Sequence, residues 1–177
     1  GRSDAVVMAA LMTVRSTGRV HLDPNDASGP PVIDMGMLTD PSDRKAMHEA
    51  ILTMIDVLQT KAFTSIVEDV IVDELGTSLE SLREPAVIDR WLRTTMGDYF
   101  HACGTCRMGR PGDPDSVVDL DGRLIGRQGV HVIDASVMPD VPAANTHWPT
   151  VMIAERLTAG LMGRSLSDIE VVSLRNG

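Results

Sequence analysis

The chain changes character at Asp98, and that change limits its fold more than any other feature. Upstream of it, apolar residues recur at helical steps. Downstream, residues 99–150 are rich in Gly, Pro, Asp and His, the residues that punctuate turns and loops. The first part therefore reads as packing structure and the second as the place to look for chemistry. With 177 residues, one or at most two compact domains are expected.

Residues 41–60 hold the clearest helix. Ala46, Met47, Ala50, Ile51, Met54, Ile55 and Leu58 follow three- and four-residue steps, the signature of one buried face. Asp40 or Ser42 can cap it, and Pro41 suits the first turn. Two more helices are expected over 63–74, ending near Gly76, and over 84–95, with Pro85 near its start. None of the three carries a pattern that implies chemistry. Ahead of them, residues 5–14 are apolar. Behind Arg2 they superficially resemble a signal h-region, but Asp4 sits where positive charge is wanted and no small-x-small site follows Met12. A buried strand is the expectation. Residues 18–23 alternate like a half-buried strand, and Ser16 to Gly18 offer a turn, so 5–14 and 18–23 read as a hairpin. A loop over 24–31 and a short strand within 32–38 follow. The opening Gly1, in place of Met, suggests a processed chain or a fragment.

Charge and composition remove several function classes. Sixteen Lys and Arg face 25 Asp and Glu, a net −9, and no basic patch relieves it, so nucleic acid is not an expected partner. Five aromatic residues give no stacking platform for single strands. No apolar run reaches 18 residues, so no transmembrane helix is expected. The two thiols and the absence of an Asn-x-Ser/Thr acceptor point to a reducing, cytoplasmic setting.

Downstream of Asp98 three features stand out. Cys103-Gly-Thr-Cys106 has the spacing of a redox dithiol or half a zinc site. Gly104, Gly109, Pro111 and Gly112 make a following helix improbable, and no second Cys pair completes a zinc set, so no metal is expected. Arg107 stands where haem attachment wants His. Two ordinary half-buried thiols are the simplest reading, with a non-catalytic binding or thiol module as the out-of-class alternative. His101 precedes glycine-rich backbone that can approach a planar ligand closely. Asn145-Thr-His147 sits just before a helix expected over 149–163, with Pro149 near its first position and Gly163 as its stop. Donors there suit an anion or a developing oxyanion. The two polar clusters lie 44 positions apart and are joined by an expected buried strand over 130–134. Together they mark a candidate active site.

The run His101-x-x-Gly-Thr-Cys-x-Met-Gly109, then Val117-Val-Asp119, Leu124-x-Gly126, Gly129-Val-His-Val-Ile-Asp-Ala-Ser-Val-Met-Pro139 and Asn145-Thr-His-x-Pro-Thr-x-Met-Ile-Ala-Glu155 resembles the C-terminal region of the glucose–methanol–choline (GMC) oxidoreductases. Gly18-Arg-Val-His-Leu-Asp-Pro24 and Pro31-Val-Ile-Asp34 resemble that family's substrate-domain strands. The resemblance covers most of residues 15–163. It implies an α+β fold, with an antiparallel sheet and packing helices as part of a substrate domain over 1–98. A catalytic and FAD-contacting segment over 99–163 would carry a strand–helix that completes the FAD-binding domain. A tail would occupy 164–177.

The resemblance also implies FAD as cofactor and an alcohol as substrate, oxidised to an aldehyde or ketone. His101 matches the catalytic base that takes the hydroxyl proton while hydride passes to flavin. Asn145 matches its partner, and His147 is the neighbouring polar position. Asp134 and Ala135 match the strand end at the FAD phosphates or ribityl chain; Asn145, Thr146 and His147 match positions near the flavin ring. A hydroxynitrile lyase on the same scaffold is the in-family alternative. The family's Gly-x-Gly-x-x-Gly turn for the FAD pyrophosphate does not occur in these residues. The resemblance therefore implies a C-terminal part, cleaved or one subunit, that works with an N-terminal FAD-binding portion.

Overall fold

The structure is a computed structural model and describes residues 5–164. The chain forms two compact units that divide after Tyr99, each with its own apolar core.

In the first unit, β1 (Arg19–His21) pairs antiparallel with β2 (Val32–Asp34), with Val20 opposite Ile33. Both strands are exposed along their length. The half-buried alternation expected at 18–23 is therefore not realised, because a two-stranded ribbon has no second layer to bury a face against. The hairpin is also drawn differently from the expectation. β1 pairs forward with β2 rather than back onto residues 5–14, which form no strand; Val6 is 83% exposed. Apolar composition favours a strand only where a ladder partner exists, and none of the described residues supplies one there.

Helix α1 (Pro41–Leu58) follows as expected. Asp40 accepts from the Ser42 N–H as its N-cap, Pro41 opens the first turn, and the seven apolar residues named from spacing are all buried or half-buried. Ile51 and Ile55 join Leu82, Ile88 and Leu92 in the core. The helix expected over 63–74 is overturned. Helix α2 is a single turn, Lys61–Thr64, capped by Thr60. The residues that follow, Ile66, Val67, Val70, Ile71 and Val72, are β-branched and helix-averse, and Asp73 draws the Leu75 and Thr77 N–H groups into a loop. A 3₁₀ turn (Ser81–Arg83) leads into α3 (Pro85–Thr95), with Glu84 at its N-cap position. His48 on α1 meets Asp89 on α3 at 2.9 Å.

The second unit is mostly irregular backbone tied by isolated bridges, Met108 to Val118, Val118 to Leu124 and Arg123 to His131. The strand expected over 130–134 is reduced to one of these bridges, and Val130 is exposed. Among the described residues its ladder bonds run to Gly122 and Leu124, too few for a strand. Gly122 makes that contact possible. It sits at φ +74°, and a Cβ there would lie 2.8 Å from the Val132 carbonyl oxygen. A 3₁₀ turn, Ala135–Val137, leads on to helix α4, His147–Leu161. Leu157 of α4 packs on Val118 and Val137. The helix starts two residues earlier than expected, which leaves Pro149 in the first turn, where the N–H it lacks has no intrahelical acceptor anyway. Gly163, at φ +67°, follows its end. Among the described residues no helix is long and apolar enough to cross a membrane. The tail expected over 164–177 lies outside the described residues apart from Arg164.

Candidate active site

The segment carrying His101 is held against the turn that carries Asp134. The Cys106 N–H donates to the Ser136 carbonyl and the Met108 N–H to the Val137 carbonyl, both at 2.9 Å. Phe100, just before His101, adopts φ +58°, a left-handed conformation that costs a bulky residue energy and often marks functional backbone. His101 is half-buried. Its Nδ1 lies 2.9 Å from the Thr146 hydroxyl. That one contact unites the two sequence clusters across 45 positions of chain.

Thr146 is 8% exposed and sits at the N-cap position of α4, yet makes no side-chain cap. Its backbone, at φ −75° and ψ −11°, is already helical, whereas a capping side chain needs extended backbone. The Thr146 carbonyl anchors the helix instead, accepting from the Thr150 N–H at 2.9 Å and the Thr150 hydroxyl at 2.7 Å. On either side, Asn145 and His147 are exposed. The His147 ring packs edge-on against Trp148 at a centroid distance of 5.1 Å. An uncapped helix N-terminus flanked by an exposed amide and an exposed imidazole is a donor set for an acceptor-rich planar group. These residues therefore suit a flavin ring. Asp134 is exposed, and its carboxylate accepts from the Ser136 N–H at 2.8 Å and from the Ser136 hydroxyl. It thereby shapes the turn that holds Ala135 at the surface of the unit.

Both cysteines are free and half-buried. Burial first, and then the Asp140 carboxylate, push the Cys103 thiol above its ordinary pKa, the reverse of what a reactive thiolate needs. No group of three His, Cys, Asp or Glu side chains among the described residues is arranged to hold a metal ion.

Sequence reasoning placed His101, Asn145, Thr146 and His147 in one site, and the fold brings His101 and Thr146 into contact. It missed that Thr146 faces His101, because no periodicity connects positions 45 residues apart. It also missed Asp43, a buried carboxylate in the first turn of α1 that binds the Arg15 and Ser16 backbone. An acidic residue in a first turn is the signal that was available.

The family model for GMC oxidoreductase matches residues 14–154. Dehydrogenase pkfF of Emericella nidulans is 34% identical over 157 residues, 89% of this chain and 25% of that protein. The 5-(hydroxymethyl)furfural oxidase of Methylovorus sp. is 33% identical over 154 residues, 83% of this chain and 29% of that protein. Among solved structures, pyridoxine 4-oxidase from Mesorbium loti superposes with a TM-score of 0.74 at 27% identity, over 87% of this chain and 29% of that one. The chain belongs to the GMC oxidoreductases, a family of FAD flavoproteins, and matches their C-terminal domain. It spans little more than a quarter of the length of these relatives.

Proposed function

We propose that this chain is the catalytic C-terminal part of an FAD-dependent oxidoreductase that oxidises an alcohol to an aldehyde or ketone. Residues 1–98 form part of its substrate domain. Residues 99–163 carry the catalytic groups and complete an FAD-binding domain, whose pyrophosphate-binding portion lies in an N-terminal segment or partner subunit. Asp134 and Ala135 hold the cofactor from the strand-end side, and Asn145, Thr146 and His147 from the ring side. FAD, when bound, supplies the hydride acceptor.

In this reading the His101 imidazole takes the alcohol's hydroxyl proton, because a neutral imidazole is a base of the right strength near neutral pH. The Asn145 amide donates to the substrate oxygen and favours its developing negative charge. The observation that carries the reading is the 2.9 Å contact between His101 and Thr146, which sets the proposed base beside the turn that bears Asn145. A cytoplasmic location fits the two free thiols.

The test is anaerobic flavin bleaching in the holoenzyme with a panel of primary and secondary alcohols. His101→Ala should slow it by about 10²–10⁴-fold with FAD retained, the usual share of a positioned base. Asn145→Ala should cost about 10²–10³-fold, the share of one oxyanion donor, and His147→Ala less. A holoenzyme that no alcohol bleaches refutes the activity. A nearly silent His101→Ala beside an inactive His147→Ala refutes the assignment of the base.

A further inference from the structure

We propose that Thr146 is a positioning residue for His101, its hydroxyl holding the imidazole by Nδ1 in the orientation in which Nε2 takes the substrate proton. The inference rests on the alcohol-oxidation reading above and adds a role to a residue so far placed only beside the cofactor.

Three observations support it. The Thr146 Oγ1 lies 2.9 Å from the His101 Nδ1. Thr146 is 8% exposed, so water competes little for the bond. And the residue occupies a helix N-cap position without capping the helix, although a capping hydroxyl there commonly stabilises a helix by about 1 kcal/mol. A local stabilisation that the sequence could have supplied is forgone, and the hydroxyl is turned toward the imidazole. Departures of that kind from local rules cluster at functional sites.

The direction of the bond that catalysis requires follows from the proton's path. A neutral imidazole carries one N–H, and the other nitrogen accepts. If Nε2 is to take the hydroxyl proton of an alcohol, Nδ1 must hold the hydrogen, and Thr146 must accept from it. Once Nε2 is protonated, both nitrogens donate, and the same hydroxyl still accepts from Nδ1–H. Thr146 therefore suits His101 before and after proton transfer without reorientation. The reverse arrangement, with Thr146 donating to Nδ1, would place the hydrogen on Nε2 and remove the base. A hydroxyl both donates and accepts, so it can hold the ring at Nδ1 in either tautomer, and the tautomer that serves proton transfer is the one in which it accepts.

Thr146→Val keeps the shape of the side chain and removes the acceptor; Thr146→Ser keeps the acceptor. In the holoenzyme, Thr146→Val should lower the anaerobic flavin-reduction rate constant by about 10- to 100-fold, the loss of one hydrogen bond to a charged group. KM should stay within about threefold, since ground-state binding is untouched, and Thr146→Ser should restore the rate to within about threefold. Imidazole nitrogen shifts of the histidine-labelled protein should report a hydrogen-bonded His101 Nδ1–H in the native protein and loss of that hydrogen bond in Thr146→Val. Should the valine variant lose FAD or fail to fold, the Ser and Ala variants, which differ by one oxygen, give the same comparison. A Thr146→Val enzyme within twofold of native, beside a His101→Ala enzyme slowed at least a hundredfold, overturns the positioning role and leaves the base assignment standing. Silence of both variants overturns the base assignment itself.

Discussion

Asp43 offers a sharp test of how the first unit is held together. The side chain is 4% exposed and its two oxygens receive four hydrogen bonds. Arg15 N–H reaches them at 3.1 and 2.9 Å, and the Ser16 N–H and hydroxyl both reach Oδ2 at 2.6 Å. The Ser16 oxygen in turn accepts from the Asp40 N–H at 3.1 Å. The carboxylate thus clamps residues 15 and 16 to the start of α1, where the helix dipole also favours its charge. Asp43→Asn removes the charge and sets an NH₂ donor among donors. A hydrogen bond to a charged group contributes about 1 kcal/mol more than a neutral one. Over the three distinct donors the loss is therefore ~3 kcal/mol.

The assay is native-state hydrogen exchange of the Arg15 and Ser16 amides. At 1.4 kcal/mol per decade their protection should fall about a hundredfold, while the amides of α4 are unchanged. The pH dependence has a definite sign. Burial acts to raise the Asp43 pKa, but the bonds from Ser16 and Arg15 outweigh it and hold the carboxyl below its ordinary value. A depressed folded pKa gives stability that is fully present above the unfolded value, near about 3.9, and is lost as pH falls through the folded value. Protection at residues 15 and 16 should hold at about pH 5 and fall only below about 3.9. Unchanged exchange in Asp43→Asn, or loss of protection that begins near neutral pH, would refute the clamp.

Three further outcomes are expected. Cys103→Ser with Cys106→Ser in the holoenzyme should leave alcohol turnover within about tenfold, because burial and Asp140 push the half-buried Cys103 thiol's pKa up, away from a reactive thiolate; a loss of several orders of magnitude with flavin retained would promote thiol chemistry. Gly122→Ala should destabilise the second unit by ~2–3 kcal/mol, from left-handed strain plus the approach to the Val132 carbonyl. Gly112→Ala, equally left-handed at φ +90° but open to space, should cost ~1 kcal/mol in thermal or denaturant unfolding; equal costs would show that the contact with Val132 does not matter. The 177-residue chain by itself should bind FAD weakly and purify colourless, because its residues include no Gly-x-Gly-x-x-Gly pyrophosphate turn. A yellow, stoichiometrically loaded chain would contradict that expectation.

The residues by themselves determined what depends on neighbours a few positions apart. The apolar steps of 46–58 set the buried face of α1, Asp40-Pro41 its start and Glu84-Pro85 the start of α3. The two motif blocks around His101 and Asn145 identified the family. Tertiary structure decided what depends on partners far along the chain. Residues 5–14, 66–72 and 130–134 have the composition of strand or helix, but an element forms only where a ladder or a face is completed, and among the described residues only β1 and β2 complete one another as strands. The carboxylate of Asp43 and the hydroxyl of Thr146 look like ordinary helix-start residues in the sequence. Only the folded chain brings Ser16 to the one and His101 to the other, because a hydrogen bond spanning 27 or 45 residues leaves no trace in local periodicity.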